Sequence, residues 1–499
     1  MKKNKLISLV SAGFMALTAA ALPTANADQL QSAEDILSDG AFEYVSVDGG
    51  YRISKCTASI ITEIPAVRNG VAIVEIGENA FVGFSGITDL VIPDSVKVIG
   101  DNAFYGCSSI KTLTLPKNLT SIGDGAFASC NALESVTIPD KITELPDNVF
   151  RRCDHLNSVT FGDNLAKIGE YAFYECTSLE KIKLPSALTE IGDMAFGEML
   201  SLREIDASGC SAFTEKDGIL TSSDGNDIYC AASTVEGDLY IPDGVKTIKP
   251  GAFSSAAGIE NLYLPTTLTD IGYGAFSCQF TGDMGYCSLL RKVDFANGLK
   301  TIGDSAFAFT SIESLSLPTT LIDIGAYAFE NNYNLNKVII PDGVKSIGEK
   351  AFYRCDKLKS VAVPKSVSDI GDKAFGFTVD YTGETGENGE KLTETVKVDG
   401  FKMSVSSGSA AKKYAKKAGI SFSVTDFDIL KLTFIVVCVA LIAAAIIFGI
   451  VLMSRSRKLA TRGARKAKKL EDERKAEENY KKIVDDEQHP DKKDKPGNK

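Results

Sequence analysis

A hexapeptide pattern, Ile-Gly-x-x-Ala-Phe, recurs along this chain and constrains its fold more than any other feature. Two degenerate copies, which begin at Leu145 and Ile248, fill gaps in the series. The full copies begin at Ile76, Ile99, Ile122, Ile168, Ile191, Ile271, Ile302, Ile324, Ile347 and Ile370. Most copies start 23 residues after the one before. A fixed period of about 20 to 50 residues is typical of a solenoid, in which each coil contacts only its neighbours.

The unit that begins at Ile99 shows what one coil contains. Leu113-x-Leu115-Pro116 is a short alternating run that proline ends, and Leu119-x-x-Ile122-Gly123 is a second extended piece that ends in a glycine turn. After the glycine, the Ala-Phe pair opens a compact turn or a short helix. One coil offers about six apolar side chains, too few to bury alone, but stacked coils form one continuous core. The sequence therefore predicts a β-rich solenoid of about twelve coils, with short strands and turns or short helices in each.

These repeats resemble the BspA-like leucine-rich repeat family of bacterial cell-surface proteins, over roughly Gly70 to Phe375. The resemblance implies a leucine-rich repeat solenoid at 70–376 and a C-terminal cap within 377–425. It also implies a hairpin insertion at about 208–240, inside the one 57-residue interval between copies.

Three more segments are predicted around these repeats. Residues 28–69 are expected to form an N-terminal β cap, because an open coil edge invites aggregation. The 31-residue interval after Ile271 predicts a loop insertion at about 277–288. The stretch Tyr381–Thr395 is rich in Gly, Thr and Glu and predicts a flexible acidic loop, for which we favour a solvated surface over a cation site. The cation site would use Glu384, Glu387 and Glu390.

Residues 1–27 have the features of a secretory signal peptide. They combine a basic start, an apolar run and the small-x-small site Ala25-Asn26-Ala27. A first transmembrane helix is the alternative, which the shortness of the run and its Ala, Ser and Thr content disfavour.

A second apolar segment, Leu432–Met453, predicts one C-terminal transmembrane helix. Its 22 residues contain neither charge nor proline, and they extend over about 33 Å as a helix, against a hydrocarbon core of about 30 Å. Only basic charges follow until Glu471, a stop-transfer pattern that disfavours the alternative of a buried core helix. The predicted location is the cell membrane, single-pass, with the N-terminal domain extracellular and the basic tail, 454–499, cytoplasmic.

The charges are unevenly distributed. Residues 1–27 carry three lysines, and residues 454–499 carry 16 basic and 10 acidic residues. Of the 54 basic and 65 acidic residues of the chain, 35 and 55 remain between Asp28 and Met453, a net charge of −20. This region should repel nucleic acid, and an electrostatic partner is expected to be cationic.

The cysteine positions predict a structural role in the core more than a reactive or metal-binding one. Five stand three residues after the repeat phenylalanine, where an inward corner predicts a ladder of buried free thiols. These are Cys107, Cys130, Cys153, Cys176 and Cys355. In the two long intervals, export would allow disulfides between Cys210 and Cys230 and between Cys278 and Cys287. No CxxC pair accompanies them, so no metal site is predicted.

No catalytic constellation is evident. The chain has two histidines, His155 at a variable repeat position and His489 in the tail. Asp224-Gly225-Asn226-Asp227 faintly resembles a calcium loop but lacks its later glutamate, so a hairpin turn is favoured. We therefore predict no cofactor and no enzyme activity.

Binding is expected at the variable, outward position of each Leu-x-Leu strand. The candidate ligand-binding residues are Val91, Lys183, Tyr263 and Ile339. The alternative is an ordinary solvated face. The resemblance implies binding of an extracellular protein, in adhesion or interaction with host, neighbouring-cell or matrix proteins. The alternative function is an envelope-structural protein or a receptor subunit whose tail recruits a cytoplasmic partner. The ligand and the oligomeric state do not follow from the sequence.

Overall fold

The computed structural model describes residues 37–277, 289–385, 391–425 and 466–482. The predicted signal peptide, the predicted span Leu432–Met453 and nearly all of the predicted loop insertion lie outside these residues. Within the described ranges, no helix has the length and apolar character needed to cross a bilayer.

The chain divides into two compact units. The first contains Met1–Val361 and Asp369–Phe401, and the second contains Ala362–Ser368 and Lys402–Lys499.

The N-terminal strands lead directly into the solenoid. They are β1 (Leu37–Ser38), β2 (Phe42–Val47), β3 (Gly50–Cys56), β4 (Val67–Arg68) and β5 (Val71–Ile76). Strands β1, β2 and β3 pair antiparallel, whereas β3 pairs in parallel with β5, whose Ile76 opens the first repeat. The guanidinium of Arg68 lies 4.2 Å from the centre of the buried Tyr44 ring.

In the first half of the solenoid each coil contributes two short parallel strands. They are β6 (Asp89–Val91), β7 (Val98–Ile99), β8 (Thr112–Thr114), β9 (Ser121–Ile122), β10 (Ser135–Thr137), β11 (Glu144–Leu145), β12 (Ser158–Thr160), β13 (Lys167–Ile168), β14 (Lys181–Lys183), β15 (Glu190–Ile191) and β16 (Glu204–Asp206). We call the side formed by the Leu-x-Leu strands the first-strand face and the side formed by the strands before Ile-Gly the second-strand face. The register is one repeat: Leu90 lies opposite Leu113, and Ile99 opposite Ile122.

The long interval contains both a hairpin and another coil. Its strands are β17 (Phe213–Lys216), β18 (Ile219–Ser222), β19 (Asp227–Ala231) and β20 (Glu236–Tyr240). Strands β17, β18 and β19 pair antiparallel. However, β19 also pairs in parallel with β21 (Thr247–Ile248), and β20 pairs in parallel with β22 (Gly258–Tyr263). Over the residues that the structure describes, the solenoid has about 15 turns. The predicted number of about twelve coils was too low, because turns without the Ile-Gly signature are not recognised as coils in the sequence.

Regular coils resume after the interval. Their strands are β23 (Asp270–Ile271), β24 (Lys292–Asp294), β25 (Thr301–Ile302), β26 (Ser314–Ser316), β27 (Asp323–Ile324), β28 (Lys337–Ile339), β29 (Ser346–Ile347), β30 (Ser360–Val363) and β31 (Asp369–Ile370). Where a flexible loop was predicted, β32 (Phe377–Thr385) and β33 (Lys391–Lys397) pair antiparallel. Glu387 and Glu390 lie outside the described residues, so the cation-site alternative is not tested.

The second unit contains β34 (Lys402–Val405), α1 (Ala410–Ala418) and β35 (Ser421–Val424). The Ser409 hydroxyl caps the start of α1 by accepting from the Lys412 N–H, and Gly419, in the left-handed conformation, ends it. Strands β34 and β35 pair in parallel. The tail residues 466–482 form an exposed helix.

Two columns of stacked phenylalanines run through the core of the first unit. Ring centroids are 4.8–6.0 Å apart from Phe81 to Phe196 and 4.9–5.5 Å apart from Phe253 to Phe375. Stacking of neighbouring coils buries these rings, which no single coil could do.

The segment after each Ile-Gly is a turn and not a short helix. The fourth residue of the hexapeptide has a φ between 51° and 67° in all twelve copies. These residues are Asn79, Asn102, Gly125, Asn148, Tyr171, Met194, Gly251, Gly274, Ser305, Tyr327, Lys350 and Lys373. Four residues later φ is positive again in most coils, as at Gly106, Ser129 and Arg152. Because a right-handed helix needs negative φ at every position, the three residues between are too few to form one.

The glycine of Ile-Gly is required for a different reason, the close approach of neighbouring coils. A Cβ atom on Gly100 would lie 2.6 Å from the backbone N of Glu78, and one on Gly303 would lie 2.7 Å from the backbone C of Gly272. A side chain here would overlap the preceding coil.

Candidate functional site

On most coils the first-strand face exposes the residues on either side of a buried central residue, as on β6, β8 and β10. Val91 is 58% exposed and Ile339 is 52% exposed. Both are therefore available to a partner. They lie on β6 and β28, which many coils separate.

Lys183 is exposed but already paired. Its Nζ lies 3.6 Å from Oδ2 of Asp206 on the next coil, and Lys181 Nζ lies 2.6 Å from Oε2 of Glu204 beside it. Exposed pairs of this kind contribute little stability. The two pairs make this part of the face locally neutral.

Tyr263 belongs to an aromatic patch, of which the repeat pattern predicts only this residue. Its ring stacks on that of Tyr240, with centroids 4.3 Å apart and planes 6° apart. Lys292 Nζ lies 5.2 Å from the centre of the Tyr263 ring. Tyr240 is 64% exposed. We call Tyr240, Tyr263 and Lys292 the tyrosine patch.

Tyr240 was missed because it stands in the long interval, which was interpreted as an insertion. A signal for it exists, since Leu239-Tyr240-Ile241-Pro242 has the apolar-x-apolar-Pro spacing of a first strand. In the structure Tyr240 lies directly opposite Tyr263 in the β20–β22 pair. Of the four predicted residues, the structure places only Tyr263, which is half-buried, against another aromatic side chain, the exposed Tyr240.

The thiol ladder holds coils together. Each of its five Sγ atoms donates to the carbonyl oxygen of the phenylalanine 26 residues earlier, as Cys107 does to Phe81 at 3.0 Å. Burial raises the pKa of the Cys107 thiol to about 12. It also raises the pKa values of Cys130, Cys153, Cys176 and Cys355. Thiols that stay protonated at neutral pH are poor nucleophiles and poor metal ligands.

The interval cysteines do not pair in the structure. Cys210 and Cys230 are both free and buried. Cys210 Sγ lies 3.2 Å from the carbonyl oxygen of Leu188, whereas Cys230 Sγ is directed at that of Phe196, 3.9 Å away. In this structure no bond joins the two thiols, and each faces a different coil. Cys278 and Cys287 lie outside the described residues, and their disulfide stays a prediction.

Comparison with known proteins identifies the repeat. The sequence profile described as "BspA type Leucine rich repeat region", in six copies, matches residues 74–209, 229–282 and 280–382. The chain belongs to this family. The unmatched residues between 209 and 229 include the hairpin strands β17 and β18.

Two solved structures resemble this protein. A leucine-rich cell surface protein of Faecalibacterium prausnitzii is 28% identical, with a TM-score of 0.52 over 68% of this chain and 94% of that one. The pneumococcal vaccine antigen PcpA is 21% identical, with a TM-score of 0.55 over 79% of this chain and 99% of that one, and it supports the fold alone. No curated protein sequence matches the chain.

The leucine-rich repeat solenoid is typically a binding scaffold. His155 is exposed, and its Nδ1 lies 2.7 Å from the carbonyl oxygen of Asn131. Across the described ranges, no three His, Cys, Asp or Glu side chains converge as metal ligands. Asp224 accepts hydrogen bonds from the Ser222 hydroxyl and the Asn226 backbone N–H, so it stabilises the β18–β19 turn.

Proposed function

We propose that this protein is a membrane-anchored extracellular solenoid that binds another protein through its first-strand face, in adhesion or interaction with host, neighbouring-cell or matrix proteins. The tyrosine patch carries the proposal. Tyrosine is among the side chains most enriched at the centres of protein interfaces, and here a 64% exposed tyrosine stacks on a half-buried one.

The surroundings of the patch suit a protein partner. Asp238 and Asn261 lie next to it and are joined by a 2.6 Å hydrogen bond from Asn261 Nδ2 to Asp238 Oδ1. An aromatic centre with a polar rim is the usual anatomy of an interface. The predicted export signal, the predicted span and the likeness to a cell surface protein support an extracellular location.

The test compares binding of fragment 28–431 and its variants to intact cells and to immobilised matrix proteins. The double variant Tyr240→Ala/Tyr263→Ala should lose tenfold or more in affinity, since an anchor residue contributes about 2 kcal/mol or more. Tyr105→Ala is the matched control, because Tyr105 is also exposed, at 41%, but lies in an Ala-Phe turn outside the first-strand face. Equal loss in both variants, or no binding by the parent fragment, would refute the proposal.

One observation favours the receptor alternative. The exposed tail helix at 466–482 carries i,i+4 ion pairs between Lys469 and Glu473 and between Glu471 and Lys475. These pairs stabilise a helix that a cytoplasmic partner could bind. Deletion of 454–499 separates the two functions, because adhesion should survive it and signalling should not.

A further inference from the structure

The second-strand face carries a groove in the second half of the solenoid. It has a volume of about 420 Å³ and crosses four successive coils, at β25, β27, β29 and β31. Its floor contains the glycine of each Ile-Gly pair: Gly303, Gly325, Gly348 and Gly371. Since glycine has no side chain, the column of glycines leaves a furrow between the side chains on either side. We call this furrow the glycine groove.

Acidic residues alternate between the two walls of the glycine groove. The residue before each isoleucine forms one wall, which contains Asp323 and Asp369. The residue after each glycine forms the other, which contains Asp304 and Glu349. Among the lining residues, the acids therefore fall on opposite sides in turn over the four coils, beginning with Asp304 and then Asp323. Asp372, which follows Gly371, does not line the groove. No lysine or arginine is among the lining residues.

Acids in the wall position before isoleucine are neutralised in the first half of the solenoid. Glu144 and Glu190 both contact Lys167, at 3.1 and 3.4 Å, and Glu75 contacts Arg52 at 2.7 Å. Coils stack in the same way in both halves of the solenoid. A lysine or arginine on a neighbouring coil could therefore pair with the groove acids as well.

The groove acids have mainly neutral partners. Asp304 accepts from the Ala326 backbone N–H at 2.7 Å, and Asp323 accepts from the Ser346 hydroxyl at 2.5 Å. Lys350 Nζ is 3.8 Å from Glu349 and also lies over the Tyr327 ring, outside the groove lining. The described part of the chain thus presents a row of negative charges, which a positively charged partner could neutralise.

We propose that the glycine groove binds an extended lysine- or arginine-rich segment of a partner protein. Coils stack at about 4.8 Å, so the four coils span about 14 Å, which is four to five residues of extended chain. Side chains of an extended segment alternate in direction, and long basic side chains on opposite sides can meet acids on opposite walls. A single metal ion fits less well, because no three carboxylates of the described residues converge on one point.

The test measures binding of a fluorescent octalysine peptide to the full chain in uncharged phosphatidylcholine nanodiscs. The groove variant combines Asp304→Asn, Asp323→Asn, Glu349→Gln and Asp369→Asn, which keep the shape and the hydrogen-bond acceptors. The control variant removes the same charge from exposed acids elsewhere. It combines Glu63→Gln, Asp94→Asn, Glu134→Gln and Asp243→Asn.

The groove variant should weaken octalysine binding tenfold or more, while the control variant stays within about twofold of the parent, because charges beyond about 10 Å are screened at 0.1 M salt. Equal losses would show that the peptide responds only to the net charge of −20, and an unchanged groove variant would exclude the site. Ala326→Arg, which puts a base into one wall, should weaken binding without removing any acid; its failure to do so would also count against the site. Tyr240→Ala should leave octalysine binding unchanged, so this result is independent of the proposed function.

Discussion

Asn332 donates a hydrogen bond from Nδ2 to the carbonyl oxygen of Phe307, over 2.7 Å. Asn332 is fully buried and stands three residues after Phe329, the position that cysteine occupies in five other coils. A thiol and an amide therefore perform the same structural task, which is to satisfy a carbonyl oxygen of the preceding coil at a dry corner.

The substitution Asn332→Ala should lower the free energy of unfolding by about 1–3 kcal/mol, because it leaves the buried Phe307 carbonyl without this donor. Thr310 would also lose its 2.6 Å hydrogen bond to Asn332 Oδ1. Urea denaturation of fragment 28–431 measures the change. Asn336→Ala, at an exposed site in the same coil, is the control and should have little effect; an equal loss there would contradict the explanation.

The substitution Gly100→Ala should be destabilising by about 1–3 kcal/mol, since the added Cβ would overlap the Glu78 backbone and force neighbouring coils apart. Gly209→Ala is the control, because nothing lies within 4 Å of a Cβ there. Thermal denaturation followed by circular dichroism distinguishes them. Similar melting temperatures for the two variants would show that close coil approach is not the reason for glycine in the repeat.

The carboxyl group of Asp124 should make stability depend on pH. Burial raises its pKa, and the like charges of Asp147 and Asp101 on neighbouring coils raise it further. A pKa raised in the folded state means that the folded chain holds the proton more tightly, so this contribution is present at low pH and is lost as pH rises through the folded pKa.

Accordingly, Asp124→Asn should raise the melting temperature at pH 7, and its advantage should shrink toward pH 4 and in high salt. Asp94→Asn, at an exposed position outside this column, provides the comparison. An advantage that stays constant from pH 7 to pH 4 would rule out the carboxyl group as its source.

Cys210 and Cys230 should both react with iodoacetamide after denaturation without reductant, because the structure has them as free thiols. Mass spectrometry of the exported protein provides the measurement. A peptide linked through Cys210 and Cys230 would contradict the structure at this point. The same spectra test the predicted disulfide between Cys278 and Cys287.

The sequence by itself determined the repeating architecture. The columns of Ile, Ala, Phe and Leu are visible in one dimension, since each coil repeats the same short pattern and contacts only its neighbours. The inward position of Cys107 and its counterparts followed from the same periodicity. Coils that depart from the pattern were not predicted, and β19 is the clearest example. Its Ile228-Tyr229 lacks the glycine, yet it pairs in parallel with β21.

The tertiary structure decided which residues of neighbouring coils are in contact. Tyr240 and Tyr263 are stacked although no repeat signature marks the first, and Lys183 is paired with Asp206. These contacts depend on which residue of the next coil lies opposite. An insertion changes that register, and the repeat pattern of the sequence does not show the change. The glycine column likewise became a groove only when the coils were stacked, because its walls are side chains of residues one coil apart.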